Sequence, residues 1–219
     1  MKRVILATVM ALVATTALAG PASGGVLKRW SVTVENLTPA GSQPLSPPLL
    51  VVHSRRADVW SVGTIASHGV AAIAEDANTA VLESALAGAP GIRKVFTGAG
   101  GPIMPGASAT YTLTTRGKYN RLSLLTMLVN TNDGFTGLDA RHLRGQHRSF
   151  RPFAYDAGSE KNNERTGFIP GPCCDNPFVR DPEGALIRRH EGITGRGDLP
   201  AATYGWSGAV ARITVHRLA

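Results

Sequence analysis

The sequence predicts an all-β protein: an antiparallel β-sandwich with short helical insertions and one long irregular loop before the last strand. Three observations lead there. Several short segments alternate apolar and polar residues, the period of a half-buried strand. Gly- and Pro-rich stretches separate those segments and mark turns. Only one region is Ala-rich with apolar residues three and four apart, so helices are the exception.

The chain opens MKRVILATVMALVATTALAG. Lys2 and Arg3 form a basic start, Val4 to Thr16 an apolar run, and Ala17-Leu18-Ala19 a small-x-small cleavage motif. This pattern predicts a secretory signal peptide over residues 1–19, too short in its apolar part for a spanning helix of about 20 residues. Residues 20–219 are then expected to form one domain, with no further segment apolar enough to cross a bilayer. The formal net charge of +8 is dispersed, with its densest run at Arg141 to Arg151. Nucleic-acid binding would need a basic face interleaved with aromatics, so no nucleic-acid partner is expected. Attraction to anionic envelope or matrix polymers stays open.

KRWSVTVENLT begins the strands, with Trp30, Val32 and Val34 on one face. A Pro-containing loop leads to LLVVH, an apolar run short enough for a buried strand. From Val62 to Gly88 the spacing predicts one or two short helices broken near Asp76 to Asn78. IRKVF and SATYTLTTR follow as strands. RLSLLTMLVN is apolar at nearly every position, as expected of a central strand covered on both faces. SFRPFAY is a further strand-like approach. Periodicity then vanishes from Asp156 to Tyr204, a long stretch for a compact domain. GAVARITVHRL restores alternation, and the first and last strands are expected in one sheet.

Three acids stand at the tips of the central segments: Asp133 in NTNDGFTG, and Asp156 and Glu160 in YDAGSE. Gly158 lets the second turn curl so that its two carboxylates can face one point. Carboxylates on loops suit a hard cation such as Ca2+, which takes six to eight oxygens in irregular geometry. Equally, Asp133 could cap its turn and the other two could be solvated. The D-x-D-x-D-G run of an EF-hand is absent.

The stretches LSPPLLVVHS, TIASHGVAAIAED, LSLLTMLVNTNDGFTGLDA and FAYDAGSE resemble, in that order, the spondin N-terminal domain of F-spondin and mindin and of small exported bacterial proteins. The resemblance runs from about Trp30 to Glu160. It implies a C2-like sandwich that binds Ca2+ through Asp133, Asp156 and Glu160. The turn often written PSPDW in the family is NTNDG here, so Gly134 stands where relatives carry Trp. Its absence is expected to remove an exposed aromatic beside the site. YDAGTD becomes YDAGSE, a conservative change at Glu160. The Cys-rich framework and thrombospondin repeats of the animal proteins are missing, so the chain resembles the stand-alone exported bacterial version.

Other constellations are weaker. The six histidines, His53, His68, His142, His147, His190 and His216, show no metal-ligand spacing. His53 is expected to satisfy a local hydrogen bond, and His142 and His147 to be exposed. No G-x-S-x-G elbow is present, although a Ser-His-Asp site can assemble from distant positions. Cys173 and Cys174 are adjacent, which suits a vicinal disulfide or free thiols. Arg196-Gly197-Asp198 spells the RGD tripeptide of integrin ligands, best read as chance. The expectation is a secreted or periplasmic Ca2+-binding adhesion-type module, not an enzyme, with an extracellular or envelope ligand. The alternatives are an exported hydrolase using the acids and a structural envelope protein without specific metal.

Overall fold

The computed structural model describes residues 25–175 and 179–219. The segment expected to be a signal peptide, residues 1–19, lies outside them. Among the described residues, ten strands form two antiparallel sheets. The first sheet contains β1 (Leu27–Asn36), β4 (Ser108–Arg116), β7 (His147–Phe150) and β10 (Ala211–Arg217), in the order β4-β1-β10-β7. The second contains β2 (Leu49–His53), β3 (Ile92–Thr97), β5 (Arg121–Met127), β6 (Gly134–His142), β8 (Tyr155–Asp156) and β9 (Arg188–Arg189), in the order β3-β2-β5-β6-β8-β9.

Alternation in β1 and β10 buries Trp30, Val32 and Val34 against the same interior as Ala211, Ile213 and Val215. The two strands pair along their length, from Trp30 with Arg217 to Asn36 with Ala211. The expected sharing of a sheet by first and last strands is therefore observed. Between the sheets these residues meet Leu50, Val52, Leu122, Leu124 and Leu138.

The opposite face of the six-stranded sheet is also covered. α1 (His68–Asp76) and α2 (Thr79–Leu86) lay Val70, Ile73, Ala74 and Leu82 over Leu49, Val51, Leu125 and Phe135. This is why β2 and β5 are buried at nearly every position. Ser67 caps α1 by accepting from Val70 N at 3.3 Å, and Ala77 ends it in the left-handed region at φ 56°. The break expected near Asp76 to Asn78 falls there.

β6 and β9 had no signature in the sequence, and SFRPFAY, expected as one strand-like approach, divides between β7 at Ser149-Phe150 and β8 at Tyr155, which lie in different sheets. β6 carries Gly134 and Gly137 and is buried over its first five residues, so it shows neither alternation nor strong β-propensity. Gly137 is required by packing, since a Cβ there would lie 1.8 Å from Leu124 O. β7 is a half-exposed edge strand inside the basic run Arg141 to Arg151. The chain uses that run to cross from one sheet to the other.

Among its described residues, the long segment after Asp156 holds one 3-10 turn (Thr166–Phe168), the two-residue β9 and α3 (Ala201–Tyr204). It nonetheless packs closely. Ile169, Ile193 and Leu199 form a third small core with the disulfide-bonded Cys173 and Cys174, Tyr204 and Trp206.

Candidate metal centre

The site forms where the β5–β6 hairpin meets the chain after β8. Leu128 N donates to Gly134 O at 2.8 Å and closes the hairpin loop. Thr131 holds that loop, donating to Leu128 O at 2.7 Å and accepting from Gly134 N at 2.8 Å. Asp133, the last residue of the loop, is fully buried. Gly134 pairs with Asp156 across β6 and β8, which brings the two acidic turns together.

Asp133 grips the second turn directly. Its Oδ2 accepts from Ser159 N at 2.8 Å, Glu160 N at 2.9 Å and Ser159 Oγ at 3.2 Å. The turn adopts the curl expected at Gly158, whose φ is 69° and where a Cβ would lie 2.4 Å from Ala185 O. Asp156 caps its own turn, with Oδ1 accepting from Gly158 N at 2.6 Å. Its Oδ2 accepts from Asn162 Nδ2 at 2.6 Å and pairs with Arg188 Nη2 at 2.7 Å across the β8–β9 ladder.

Glu160 is buried beside the C-terminal end of α1, where two further acids, Glu75 and Asp76, face the negative end of the helix dipole. Arg180 serves all three carboxylates. Its Nε lies 2.9 Å from Glu160 Oε1 and 3.1 Å from Glu75 Oε2, and its Nη2 bonds Asp76 Oδ2. The contact with Glu160 has the distance of an ion pair but not the direction of a hydrogen bond.

What distinguishes this place is a set of buried acceptor oxygens with no hydrogen-bond donor: Asp133 Oδ1, both carboxylate oxygens of Glu160, Asn162 Oδ1 and Asp76 Oδ1. Such groups are costly to bury unpaired. The electrostatics agree. Burial, then the Asp156 charge, raises Asp133 to about 7 against the hydrogen bonds from Glu160 and Ser159. Burial raises Glu160 to about 8, opposed by Arg180 and reinforced by Glu75, Asp133 and Asp76. The cluster holds more carboxylates than Arg180 and Arg188 can pair, and Asp133 and Glu160 are both pushed toward their protonated forms.

The donor set is oxygen only, which suits a hard cation. Among the described residues, however, no three His, Cys, Asp or Glu side chains stand as a ready ligand group. Asp133, Asp156 and Glu160 are thus brought into one buried cluster, but hydrogen bonds and arginines engage part of each. Sequence reasoning missed Asn162, whose free oxygen joins the cluster two residues after Glu160, and the counter-charges Arg180 and Arg188. Asn162 was near enough in sequence to be noticed. The arginines lie in the aperiodic segment, where nothing marked them.

Several other expectations have definite outcomes. His53 is buried, with Nδ1 2.8 Å from Ser54 O and Nε2 2.9 Å from Ser123 Oγ. His142 and His147 are exposed. Gly134 is not an exposed position: a Cβ there would lie 2.5 Å from Thr131 Oγ1 and 3.2 Å from His190 Cδ2. The idea of an aromatic lost from the surface at Gly134 is therefore corrected, because the hairpin closes over this residue. The RGD tripeptide lies at the surface but is tied to its surroundings. Arg196 pairs with Glu191, its N donates to Glu164 Oε2 at 2.8 Å, and Asp198 Oδ2 accepts from Thr166 N at 3.0 Å.

The sequence model of the family described as Spondin_N matches residues 36–162, more than half of the chain and the whole of the acidic cluster except its arginines. No curated protein matches the chain.

Proposed function

The chain belongs to the spondin N-terminal domain family, and from that premise we propose that it is an exported Ca2+-binding module that acts by binding, not by catalysis. The observation that carries the proposal is the set of buried oxygens without donors, centred on Asp133, Glu160 and Asn162. Asp133 Oδ1, the Glu160 carboxylate and Asn162 Oδ1 would hold the ion, with Asp156 as the neighbouring charge that already raises Asp133. Bound Ca2+ would replace the protons that otherwise neutralise Asp133 and Glu160. It would tie the β5–β6 loop, the turn after β8 and the end of α1 into one unit.

Burial also supports a binding module over a hydrolase. Asp133, Asp156 and Glu160 are at most 1% exposed, and backbone N–H groups or arginines engage them. General acid–base work needs a carboxyl within hydrogen-bond reach of substrate. The MKRVILATVMALVATTALAG start supports export to a periplasmic or extracellular compartment. No helix among the described residues is long and apolar enough to cross a membrane.

The test is thermal unfolding of the purified protein with Ca2+ and with a chelator. At a hundredfold excess over Kd the ion should add about 2.7 kcal/mol, a rise of roughly 5–10 °C in a chain of this size. Asp133→Asn should abolish the rise. A second reading has its own support: Arg180 and Arg188 already pair with Glu160 and Asp156. If those arginines are the only counter-charges, Ca2+ will leave the midpoint where it was.

A further inference from the structure

The six-stranded sheet carries a second charged feature at the other end of its central strands. β6 starts beside Asp133 and ends at His142, about 27 Å away for eight steps of extended chain. There, Arg121 at the start of β5 pairs with His142. The loop after β2 and the turn before β5 close over them. A cavity of about 390 Å³ opens between, lined by Ser54, Arg55, Arg56, Lys118, Asn120, Arg121 and His142. Four of the seven are permanently cationic, one is a histidine, and no acid is present.

The cations are unspent. Among the described residues none of the four makes an ion pair with a carboxylate. Arg121 uses Nη1 on Ala140 O at 2.6 Å, which leaves the remainder of its guanidinium free. Lys118 stands over the ring of Tyr119, 5.3 Å from its centre, and Arg93 over the same ring at 5.9 Å. Burial, then the charges of Arg121, Arg144, Arg148 and Lys28, holds His142 below its ordinary value, as a positive field should.

The framework is fixed. Ser54 N donates to Gly91 O at 2.8 Å, Ala57 N to Ser54 O at 3.3 Å and Arg56 N to Ser54 Oγ at 3.3 Å. The two arginines therefore leave a hydrogen-bonded turn seated on buried His53, not a loose loop. Unpaired like charges on such a turn repel one another, and a bound anion relieves that repulsion. A lone carboxylate would neutralise one of them. A phosphate monoester carries about −1.5 to −2 charge and three acceptor oxygens, and it matches the fork of Arg.

We infer that the cavity between the loop after β2, the turn before β5 and the end of β6 binds a phosphate monoester through Arg55, Arg56, Lys118 and Arg121. Its volume lies within the range of small-molecule sites and leaves space for the group carrying the phosphate. The Asn120 amide and the Ser54 hydroxyl are placed to meet that group, and a phosphorylated saccharide of the exterior has the size and polarity to fill it. This inference is independent of the metal centre, because the two sites share no residue.

The experiment is calorimetric titration of the full protein with inorganic phosphate, glucose 6-phosphate, glucose 6-sulfate and glucose, each at fixed ionic strength. Both phosphates should bind, the sulfate at least fivefold more weakly, and glucose not at all. Tighter binding of glucose 6-phosphate than of inorganic phosphate assigns the site to a phosphorylated saccharide, and equal binding to free phosphate. Arg55→Ala/Arg56→Ala should lose at least tenfold in affinity with its unfolding midpoint retained. Lys118→Ala alone should lose about threefold, a second reading should the double variant fold poorly. Arg165→Ala/Arg196→Ala, which removes the same charge elsewhere, should bind as the parent does. Absence of binding overturns the inference. So does an equal loss in the two double variants, or tighter binding of a single-stranded DNA 12-mer, which offers only phosphodiesters.

Discussion

Two buried acids in the same stretch of chain, Glu160 and Glu164, have opposite environments. Both are 1% exposed. Glu164 is a finished knot: Oε1 accepts from Thr194 N and Oγ1 at 2.7 and 2.8 Å, and Oε2 from Gly195 N and Arg196 N at 2.8 Å each. Burial opposes its charge, but the N–H groups of Thr194, Gly197 and Arg196 prevail and hold it below the ordinary range. Glu160 has one arginine at poor angle and no hydrogen-bond donor, and its pKa rises to about 8. A buried carboxylate surrounded by backbone donors is a structural pin. One left with bare oxygens resists ionisation.

The largest effect should come from breaking the finished knot. Glu164→Ala strands five donors, the Thr194 hydroxyl and the N–H groups of the four consecutive residues Thr194 to Gly197, and should cost about 4 kcal/mol in urea unfolding. Its calcium response should stay at the parental size. A cost under about 1 kcal/mol would mean that water replaces the carboxylate freely and that the contrast with Glu160 is empty.

Asp133→Asn should act in the opposite sense without metal. The amide keeps an oxygen for Ser159 N and Glu160 N and removes a charge that the site raises. Stability in chelator at pH 8 should rise by about 1 kcal/mol, while the midpoint shift with Ca2+ disappears. A destabilised Asp133→Asn protein in chelator would show that its charge is already compensated.

Titration sharpens the same comparison. Asp133 and Glu160 hold their protons more tightly in the folded chain than at the ordinary 3.8 and 4.5. The metal-free protein therefore binds more protons than its unfolded form, and it should lose stability as pH rises from about 4 to about 8. Saturating Ca2+ should flatten that decline. Glu164 has the reverse sign: its lowered pKa contributes stability above the ordinary 4.5 that is lost as pH falls through the folded value. Denaturant midpoints from pH 3 to 9 should thus peak in mildly acidic buffer with chelator and broaden toward neutral pH with Ca2+. An unchanged profile on adding the ion would separate the raised acids from any metal.

The smallest effect belongs to the RGD segment. Asp198→Ala removes only the exposed bonds to Thr166 N and Oγ1, at 3.0 and 3.3 Å. It should cost no more than about 1 kcal/mol and leave the calcium response untouched.

The long segment is aperiodic in sequence, and its role has no local signature. Its order comes from single residues meeting distant backbone, as when Glu164 receives the turn at Thr194 to Gly197, and such bonds have no period. β6 was hidden for a different reason. Buried on both faces and requiring Gly137 against Leu124 O, it could display neither alternation nor a branched-residue run. β1, β2, β4, β5, β10 and the α1–α2 break were legible because one-sided or two-sided burial imposes a pattern along the chain itself.

For the site the division is similar. The sequence by itself determined the sandwich class, the pairing candidates at first and last strand, and the three acids on two turns, since turn chemistry and burial period are local properties. Only the tertiary structure decided that Asp133 holds the second turn through the N–H groups of Ser159 and Glu160, that Arg180 and Arg188 enter as counter-charges, and that Gly134 lies beneath Thr131. Charge balance in a buried cluster depends on distance in space, and residues 133, 160 and 180 become neighbours only once the sheet and the long segment have closed around them.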